Sequence, residues 1–209
     1  MPNSLTKIHQ QKKFTAITGV ILAGGKSSRM GKDKALLDFN GKPFIQHIAE
    51  ALQQVFSKII IISDHGEDYR FLGLPIYEDI FKDCGPLGGI HAAFTRTWAK
   101  RIFIISCDLP LLSAETVRWI IETSCRGDVI VVQSGQYIQP LCGMYSRRCH
   151  TLLEKHLKLG QHSVLRFLED VQMVAILPDL SSAPNVPRVL TNVNTPDDYS
   201  RLVRNIESA

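Results

Sequence analysis

The chain has 209 residues, of which 44% are hydrophobic and 21% are charged, and its formal net charge at pH 7 is +4. This length and composition support a folded domain with a buried core and exclude a disordered or fibrous chain. No apolar run approaches the roughly 20 residues that a membrane-spanning helix needs, so we expect no membrane association.

The positive charge is concentrated at the amino terminus. Lys7, Lys12 and Lys13 lie in the first 13 residues, which contain no acidic residue, and the rest of the chain has 21 basic and 20 acidic groups. A nearly neutral body argues against binding to nucleic acid, which would require clustered Lys and Arg. The segment also lacks the apolar stretch of a secretory signal. We therefore predict a flexible tail over residues 1–15 and a single domain over residues 16–209.

The five cysteines form no C-x-x-C pair, and their number is odd. This pattern argues against a disulfide framework and against a zinc site. We expect small, buried thiols in a protein of the reducing cytoplasm. The residues are Cys84, Cys107, Cys125, Cys142 and Cys149.

Short β-branched runs alternate along the chain with segments of helical periodicity. The runs have the pattern of fully buried strands, and they span residues 17–22, 59–62, 102–106, 129–133 and 173–177. Between them, the segments 44–55, 87–94 and 117–121 each place apolar side chains on one helical face. This alternation predicts an α/β fold with a mostly parallel sheet and helices on both faces.

Two later segments complete the pattern of elements. Residues 137–145 have the pattern of an extra strand, in which Pro140 marks either an edge or an interruption. A typical helix start follows at residues 195–198, where the capping hydroxyl of Thr195 precedes Pro196 and the acidic Asp198. We therefore predict a last helix that begins near Pro196.

The loop after the first strand has the composition of an anion-binding site. Residues 22–34 contain three glycines, two serines and four cationic side chains. In an open parallel sheet, ligands bind beyond the carboxyl ends of the strands, and glycines let backbone N–H groups approach phosphate oxygens. The spacing fits neither a P-loop nor a G-x-G-x-x-G turn. The alternative is a flexible basic loop without a ligand.

Three further features follow later strands. Asp108 comes soon after the strand at 102–106, where a carboxylate suits either a hard cation such as Mg²⁺ beside phosphates or the capping of a turn. The glycines of 85–89 permit either close approach of a planar ligand or tight helix packing. A cationic group further along either steers an anionic substrate or forms a solvated helix face. Its members are Arg147, Arg148, Lys155 and Lys158.

In chain order, these features resemble the motifs of the molybdenum cofactor guanylyltransferase family, a branch of the nucleotidyltransferase superfamily. The resemblance covers about residues 18–202, which is nearly the whole predicted domain. The loop motif is typical of the superfamily, and the motif at 192–196 points to the molybdopterin branch. The motifs are LAGG at 22–25, SRMG at 28–31, DK at 33–34, NGKP at 40–43, GPLGG at 85–89, CDLP at 107–110 and NVNTP at 192–196.

The resemblance implies a fold, a reaction and partners. The fold is a Rossmann-like three-layer α/β/α sandwich of the nucleotidyltransferase type. The implied reaction transfers GMP from GTP to the terminal phosphate of molybdopterin, requires Mg²⁺ and releases pyrophosphate. Proteins that make or accept the molybdenum cofactor are implied as transient partners.

The same motifs assign roles to individual residues. Arg29, Lys34 and Asp108 match the residues at the reacting phosphates, and Asp108 matches the metal ligand. The remaining assignments concern contacts with the two substrates. Nucleotide contacts fall on Leu22, Ala23, Gly24, Gly25, Lys34, Asp79, Gly88 and Asp108, and the pterin side falls on Gln139, Pro140, Asn192 and Asn194.

One position departs from the family pattern. The family commonly has a nucleotide-binding asparagine after the second strand, where this chain has Ser63 and Asp64. Either Ser63 or Asp64 substitutes for it, or the contact is lost. The departure bears on guanine recognition more than on the fold.

The implied chemistry leaves two alternatives open. A phosphate nucleophile is already anionic at neutral pH, so the reaction needs no general base. One alternative is another nucleotidyltransferase, such as a molybdopterin cytidylyltransferase or a sugar-phosphate nucleotidylyltransferase. The other is a non-catalytic nucleotide sensor or an adaptor that delivers the cofactor.

Overall fold

The structure, a computed structural model, describes residues 12–24, 33–123, 126–178 and 190–207. Seven strands form a central sheet, and two short strands form a hairpin. The strands are β1 (Phe14–Leu22), β2 (Asp38–Phe39), β3 (Lys42–Pro43), β4 (Phe56–Ile62), β5 (Ile76–Tyr77), β6 (Arg101–Ser106), β7 (Val129–Ser134), β8 (Tyr137–Ser146) and β9 (Met173–Ile176). The sheet order is β5-β4-β1-β6-β8-β7-β9, and only β8 among these runs antiparallel to its neighbours. Each predicted strand is therefore confirmed, although β1 begins at Phe14, inside the predicted tail.

The carboxyl ends of four parallel strands meet at one edge of this sheet. Leu22 of β1 is aligned with Ile62 of β4 and with Ser106 of β6, and Ile62 is aligned with Tyr77 of β5. Apolar side chains are buried on both faces of these strands. A shift by one residue would exchange the two faces, and each set of side chains would then lose the neighbours against which it packs. The loops that follow the four strands therefore lie side by side.

Helices cover both faces of the sheet. The helices are α1 (Phe44–Gln53), α2 (Gly85–Arg96), α3 (Ala114–Thr123), α4 (His150–Lys158), α5 (Val164–Glu169) and α6 (Pro196–Glu207). On one face, α1 and α3 bury Ile48 and Val117, and on the other α2, α4 and α5 bury Phe94, Leu153 and Phe167. The predicted three-layer α/β/α sandwich is confirmed, with α5 added to the expected helices. None of the described helices is long and apolar enough to cross a membrane.

The start of α6 is fixed by the predicted capping residues. The Thr195 hydroxyl accepts a hydrogen bond from the Asp198 backbone N–H at 3.1 Å, and the Asp198 carboxylate accepts from the backbone N–H groups of Asn194 and Thr195. Hydrogen bonds with the Thr195 side chain and with the backbone N–H groups of Asn194 and Thr195 lower the pKa of Asp198. Reciprocal caps of this kind satisfy the free N–H groups of a first helical turn. A separate hydrogen bond holds the preceding segment 190–195 at the carboxyl edge of the sheet: Val193 N donates to the Asp108 carbonyl at 2.9 Å.

Pro140 interrupts a strand in the interior of the sheet, not at its edge. Opposite β8, Val131 pairs with Gly143 but Val132 pairs with Gln139, so residues 140–142 form a bulge. Proline has no N–H to donate to a neighbouring strand, and a bulge removes the need for one. The Tyr145 hydroxyl donates to the Pro140 carbonyl at 2.6 Å. The interruption that the sequence predicted is thus observed, and its edge alternative is wrong.

Two members of the cationic group, Arg147 and Arg148, lie at the opposite edge of the sheet, after the end of β8. Lys155 and Lys158 lie on α4, where Lys158 pairs with Glu154. Ser146, the last residue of β8, is aligned with the first residue of β6. The Arg147 guanidinium donates to the carbonyls of Phe94 and Ala99 at 2.8 and 2.9 Å, where α2 ends. Arg148 pairs with Asp128 at 3.1 Å. These two arginines stabilise the far edge and do not face the carboxyl ends of the parallel strands.

Candidate active site

A cavity of about 600 Å³ lies at the carboxyl edge of the parallel strands. Each of four strands or the loop after it contributes to its wall, and the beginning of α2 forms one side. The lining residues are Leu22, Ala23, Gly24, Ile62, Ser63, Asp64, His65, Asp79, Asp83, Gly85, Pro86, Gly89, Ser106 and Leu141. A site at this edge is where an open α/β sheet binds ligands.

The end of β1 supplies main-chain groups to the cavity. Leu22, Ala23 and Gly24 all line it, and the Ala23 N–H continues the sheet by donating to the Ile62 carbonyl at 3.0 Å. Gly24 is exposed, and a Cβ there would meet nothing within 4 Å. Gly25 and Arg29 lie outside the described residues, so the contacts assigned to them stay predictions.

Asp79 carries a buried acceptor with no hydrogen-bond partner. Its Oδ1 atom is buried without a donor, and its side chain lines the cavity. Burial raises the pKa of Asp79 to about 6, the negative charge of Asp64 adds to the rise, and Lys82 opposes it. Leaving a buried carboxylate oxygen unpaired is costly in a folded protein. The arrangement therefore favours a ligand with N–H or O–H donors at this end of the cavity.

Both residues at the position of the family asparagine face the same end. Ser63 is buried, its N–H donates to the Tyr77 carbonyl at 2.9 Å, and its hydroxyl accepts from His65 N at 3.0 Å. The Asp64 carboxylate accepts from Asp79 N at 3.2 Å and from Lys82 Nζ at 2.6 Å. The structure thus brings both candidate substitutes to the cavity, next to Asp79.

The two glycines at the start of α2 have different surroundings. A Cβ on Gly88 would lie 2.9 Å from the Phe81 carbonyl oxygen, and Gly88 does not line the cavity. Gly89 does line it, and a Cβ there would lie 3.0 Å from a Leu22 methyl group. Gly89 thus faces the cavity and Gly88 lies where the helix start packs closely, and the nucleotide contact assigned to Gly88 stays a prediction.

Lys34 and Asp108 are linked through the segment that precedes α6. Lys34 Nζ donates to Asn194 Oδ1 at 2.9 Å, although 160 positions separate the two residues. The adjacent Val193 N–H donates to the Asp108 carbonyl, and one Asp108 carboxylate oxygen accepts from the Ser106 hydroxyl. Ser106 itself lines the cavity. The two predicted charged groups are therefore brought to the same edge of the sheet.

The residues predicted for the pterin side lie beside this segment. Gln139 Nε2 donates to the Leu190 carbonyl at 3.3 Å, which joins the bulge at Pro140 to the segment 190–195. Asn192 Oδ1 is buried without a partner. The Asn194 side-chain oxygen differs from that of Asn192, because it accepts a hydrogen bond from Lys34.

The comparison with protein families agrees with this geometry. Residues 19–174 match the model of the MobA-like NTP transferase domain. The chain belongs to this family. A probable molybdenum cofactor guanylyltransferase from Carboxydothermus hydrogenoformans is 39% identical over 190 residues, which cover 90% of this chain and 95% of that protein.

Two solved structures have the same fold as this chain. A protein from Aquifex aeolicus is 30% identical and has a TM-score of 0.74, over 85% of this chain and 93% of its own. Molybdopterin-guanine dinucleotide biosynthesis protein A from Archaeoglobus fulgidus is 21% identical and has a TM-score of 0.79, over 92% and 100% of the two chains. At this lower identity the likeness concerns the fold.

Asp108 offers the MobA-like NTP transferase a hard oxygen ligand for a divalent cation. Mg²⁺ is commonly held by one or two carboxylates together with substrate phosphates. Within the described residues, no group of three or more His, Cys, Asp or Glu side chains is placed to hold a metal ion. A carboxylate that is oriented by Ser106 beside the cavity fits a cation that is bound together with a nucleotide.

Some residues of the site were missed by reasoning from sequence. His65, Asp83, Ser106 and Leu141 line the cavity, and no local motif singled them out. Leu141 reaches the wall because the bulge displaces it from the regular strand. Gly85, Pro86 and Gly89 belong to a motif that the sequence analysis did identify, so a signal for them was present.

Proposed function

We propose that this protein transfers GMP from GTP to the terminal phosphate of molybdopterin and releases pyrophosphate. The observation that carries the proposal is the arrangement of charge around one cavity of about 600 Å³. An unpaired carboxylate oxygen of Asp79 lies in its wall, and Lys34 and Asp108 are joined at the same edge of the sheet. The names of relatives that are 39% and 36% identical support the same reaction.

The proposed guanosine end is the part of the cavity around Asp79. Guanine has an N1–H donor and an amino group, and a carboxylate readily accepts hydrogen bonds from both. Asp79 supplies the unpaired acceptor, and Ser63 is the proposed substitute for the family asparagine. Leu22, Ala23 and Gly24 approach the nucleotide through their main chain, as their place in the wall allows.

The proposed phosphate end contains Lys34, Asp108 and, by the sequence motif, Arg29. Lys34 donates a hydrogen bond to the Asn194 side chain, and the Asp108 carbonyl accepts one from the Val193 N–H. Asp108 would hold a divalent cation such as Mg²⁺, which supplies charge neutralisation at the α-phosphate and the leaving group when it is bound. Lys34 contributes a fixed positive charge to the same phosphates.

The reaction needs alignment and charge stabilisation more than proton transfer. An oxygen of the molybdopterin phosphate forms a bond to the α-phosphorus of GTP, and the bond from that phosphorus to the β-phosphate oxygen breaks. The electron pair leaves with pyrophosphate, and no proton has to be removed from the nucleophile. Lys34 stabilises the charge that grows on the transferring and leaving groups.

The proposed pterin side lies beyond the bulge at Pro140. A pterin ring carries amide and amino N–H donors, which suit the buried and unpaired Asn192 Oδ1. Gln139 and Pro140 form the neighbouring wall through the contact of Gln139 with Leu190. Asn194 would donate its side-chain NH2 group to the pterin phosphate, because its side-chain oxygen accepts from Lys34.

The protein is also proposed to act in the cytoplasm, in transient contact with other proteins of molybdenum cofactor synthesis and with acceptor enzymes. The four cysteines that the structure describes are free and buried, which suits a reducing compartment. Fractionation of the native host tests the location, and recovery outside the cytoplasmic fraction would contradict it.

Pyrophosphate release from each nucleoside triphosphate, with and without molybdopterin, tests the proposed reaction. We expect release from GTP with Mg²⁺ only when molybdopterin is present, and none from the Asp108→Ala variant. A preference for CTP would indicate a cytidylyltransferase, and release dependent on a sugar phosphate would indicate the other transferase class. GTP binding without any release would indicate a sensor or a delivery protein.

A further inference from the structure

Tyr69 is a fully buried residue whose hydroxyl reaches the turn that carries Lys34. Its side chain is 0% exposed, and it lies in the short 3₁₀ helix Gly66–Leu72 that follows β4. The hydroxyl donates to Asp33 Oδ2, across 36 positions of sequence. A buried hydroxyl needs partners, and here the acceptor of its proton is the residue immediately before Lys34, while the Ser63 side chain also hydrogen-bonds to it.

Asp33 uses both carboxylate oxygens to fix this turn. While Oδ2 accepts from Tyr69, Oδ1 accepts from Ala35 N at 3.0 Å and caps the 3₁₀ helix Lys34–Leu36. A carboxylate held at both oxygens has a single orientation relative to the backbone. The direction in which the Lys34 side chain leaves the turn is thereby set.

The other end of Lys34 is held separately. Its ammonium group donates to Asn194 Oδ1 at 2.9 Å, on the segment that also binds the Asp108 main chain. The turn and the ammonium group are thus anchored to different parts of the fold. Fixing both ends confines a flexible side chain that would otherwise sample many rotamers.

Electrostatics supports a stable donor at Tyr69. Burial raises the pKa of the Tyr69 hydroxyl far above its ordinary value, and the hydrogen bond with Asp33 adds to the rise. The hydroxyl therefore keeps its proton throughout the physiological range. Asp33 also contributes, after burial and the charge of Asp108, to the raised pKa of Cys107. The Asp33 carboxylate consequently lies near the end of β6 as well.

We propose that Tyr69 is a positioning residue for Lys34, acting through Asp33 to hold the lysine in the orientation that transfer of the nucleotide requires. The inference rests on the proposed function, because it concerns a residue of the same site. It differs from a packing role, which the aromatic ring alone would fulfil. Tyr69→Phe keeps the ring and removes the hydroxyl, which is the donor to Asp33 and also hydrogen-bonds with Ser63.

The test is a double-mutant cycle measured as the single-turnover rate of pyrophosphate release from radiolabelled GTP with molybdopterin. We expect Tyr69→Phe to lower the rate about tenfold with GTP affinity within twofold, since misplacing a charge-stabilising group affects mainly the reacting state. In the Lys34→Ala background, Tyr69→Phe should cost less than twofold, because its effect acts through Lys34. Equal losses in both backgrounds would refute the positioning role.

Thr116→Val is the matched control. Thr116 is buried on α3, and its hydroxyl has one hydrogen-bonded neighbour, the Ser113 hydroxyl at 3.1 Å. We expect this variant to lower Tm about as much as Tyr69→Phe and to leave the rate unchanged. If Tyr69→Phe does not fold, Asp33→Asn replaces it, and the same tenfold loss is expected. A rate within twofold of wild type for the folded variant would overturn the inference, whereas an inactive wild type would overturn the proposed function.

Discussion

Asp79→Asn is expected to raise the stability of the free protein and to lower its affinity for GTP. In the folded protein the pKa of Asp79 is about 6, against 3.8 for an ordinary aspartate, because the carboxylate is partly buried and near Asp64. A folded-state pKa above the unfolded value means that the charged carboxylate destabilises the fold at pH values above about 6. The penalty decreases as the pH falls toward 4.

The magnitude follows from the two pKa values. One pKa unit corresponds to about 1.4 kcal/mol, so the difference would amount to about 3 kcal/mol without solvent screening. The side chain is only partly buried, which reduces the expected penalty to about 1 kcal/mol. Replacing the carboxylate with an amide should therefore raise Tm of the free protein at pH 8 by about 2–4 °C, the shift typical of a chain of this length.

The same change should weaken the binding of GTP. The amide loses charge and turns an N–H donor toward the guanine donors, and hydrogen bonds to charged groups contribute about 1.5–3 kcal/mol. We therefore expect Kd for GTP to rise about 10- to 100-fold at pH 8. In wild type, protonation of Asp79 should also weaken GTP binding as the pH falls below about 6.

Calorimetry with GTP and thermal unfolding at pH 8 and pH 4.5 measure both effects. Glu122→Gln, which removes an exposed carboxylate at the end of α3, is the control and should change neither quantity. A lower Tm for Asp79→Asn, or wild-type affinity for GTP, would refute the reasoning that the cavity leaves this carboxylate unpaired for a ligand.

Three further substitutions test other parts of the structure. Asp108→Ala should abolish turnover while circular dichroism and Tm stay near wild type, and activity within a few fold of wild type would contradict its role at the phosphates. Lys34→Ala should lower kcat by about 10²–10³, as loss of one charge-stabilising group often does, and an unchanged kcat would remove it from the reaction. Gly143→Ala would place a Cβ 2.1 Å from the Ile130 carbonyl oxygen, so denaturant unfolding should show a loss of more than about 2 kcal/mol. A smaller loss would show that the β7–β8 pair separates easily.

The strands were predictable because their signals are local. A parallel strand buried on both faces requires a run of apolar, mainly β-branched residues, and that run is visible without any knowledge of its neighbours. The carboxyl ends of such strands then mark the edge at which Asp79 and Asp108 lie. The start of α6 at Pro196 was predictable for the same reason, because its cap is complete within four residues.

The contacts that arrange the site were decided by tertiary structure. Lys34 meets Asn194 across 160 positions, and nothing in either motif indicates that pairing. The close approach of the Phe81 carbonyl to Gly88 is likewise not visible in the sequence motif that contains this glycine. The place of β8 inside the sheet likewise depends on pairing with β6, a distant part of the chain.

The amino-acid sequence by itself determined the layers of this protein, the sheet edge at which the cavity lies and the charged residue types at that edge. Periodicity and loop composition are properties of neighbouring residues, so they can be recognised in each segment without knowing the rest of the structure. Which oxygen of Asp79 is left without a donor, and which lysine rotamer is held, depended on the packed structure. Those properties arise from distances between atoms of distant segments, which exist only after the sheet and its helices have assembled.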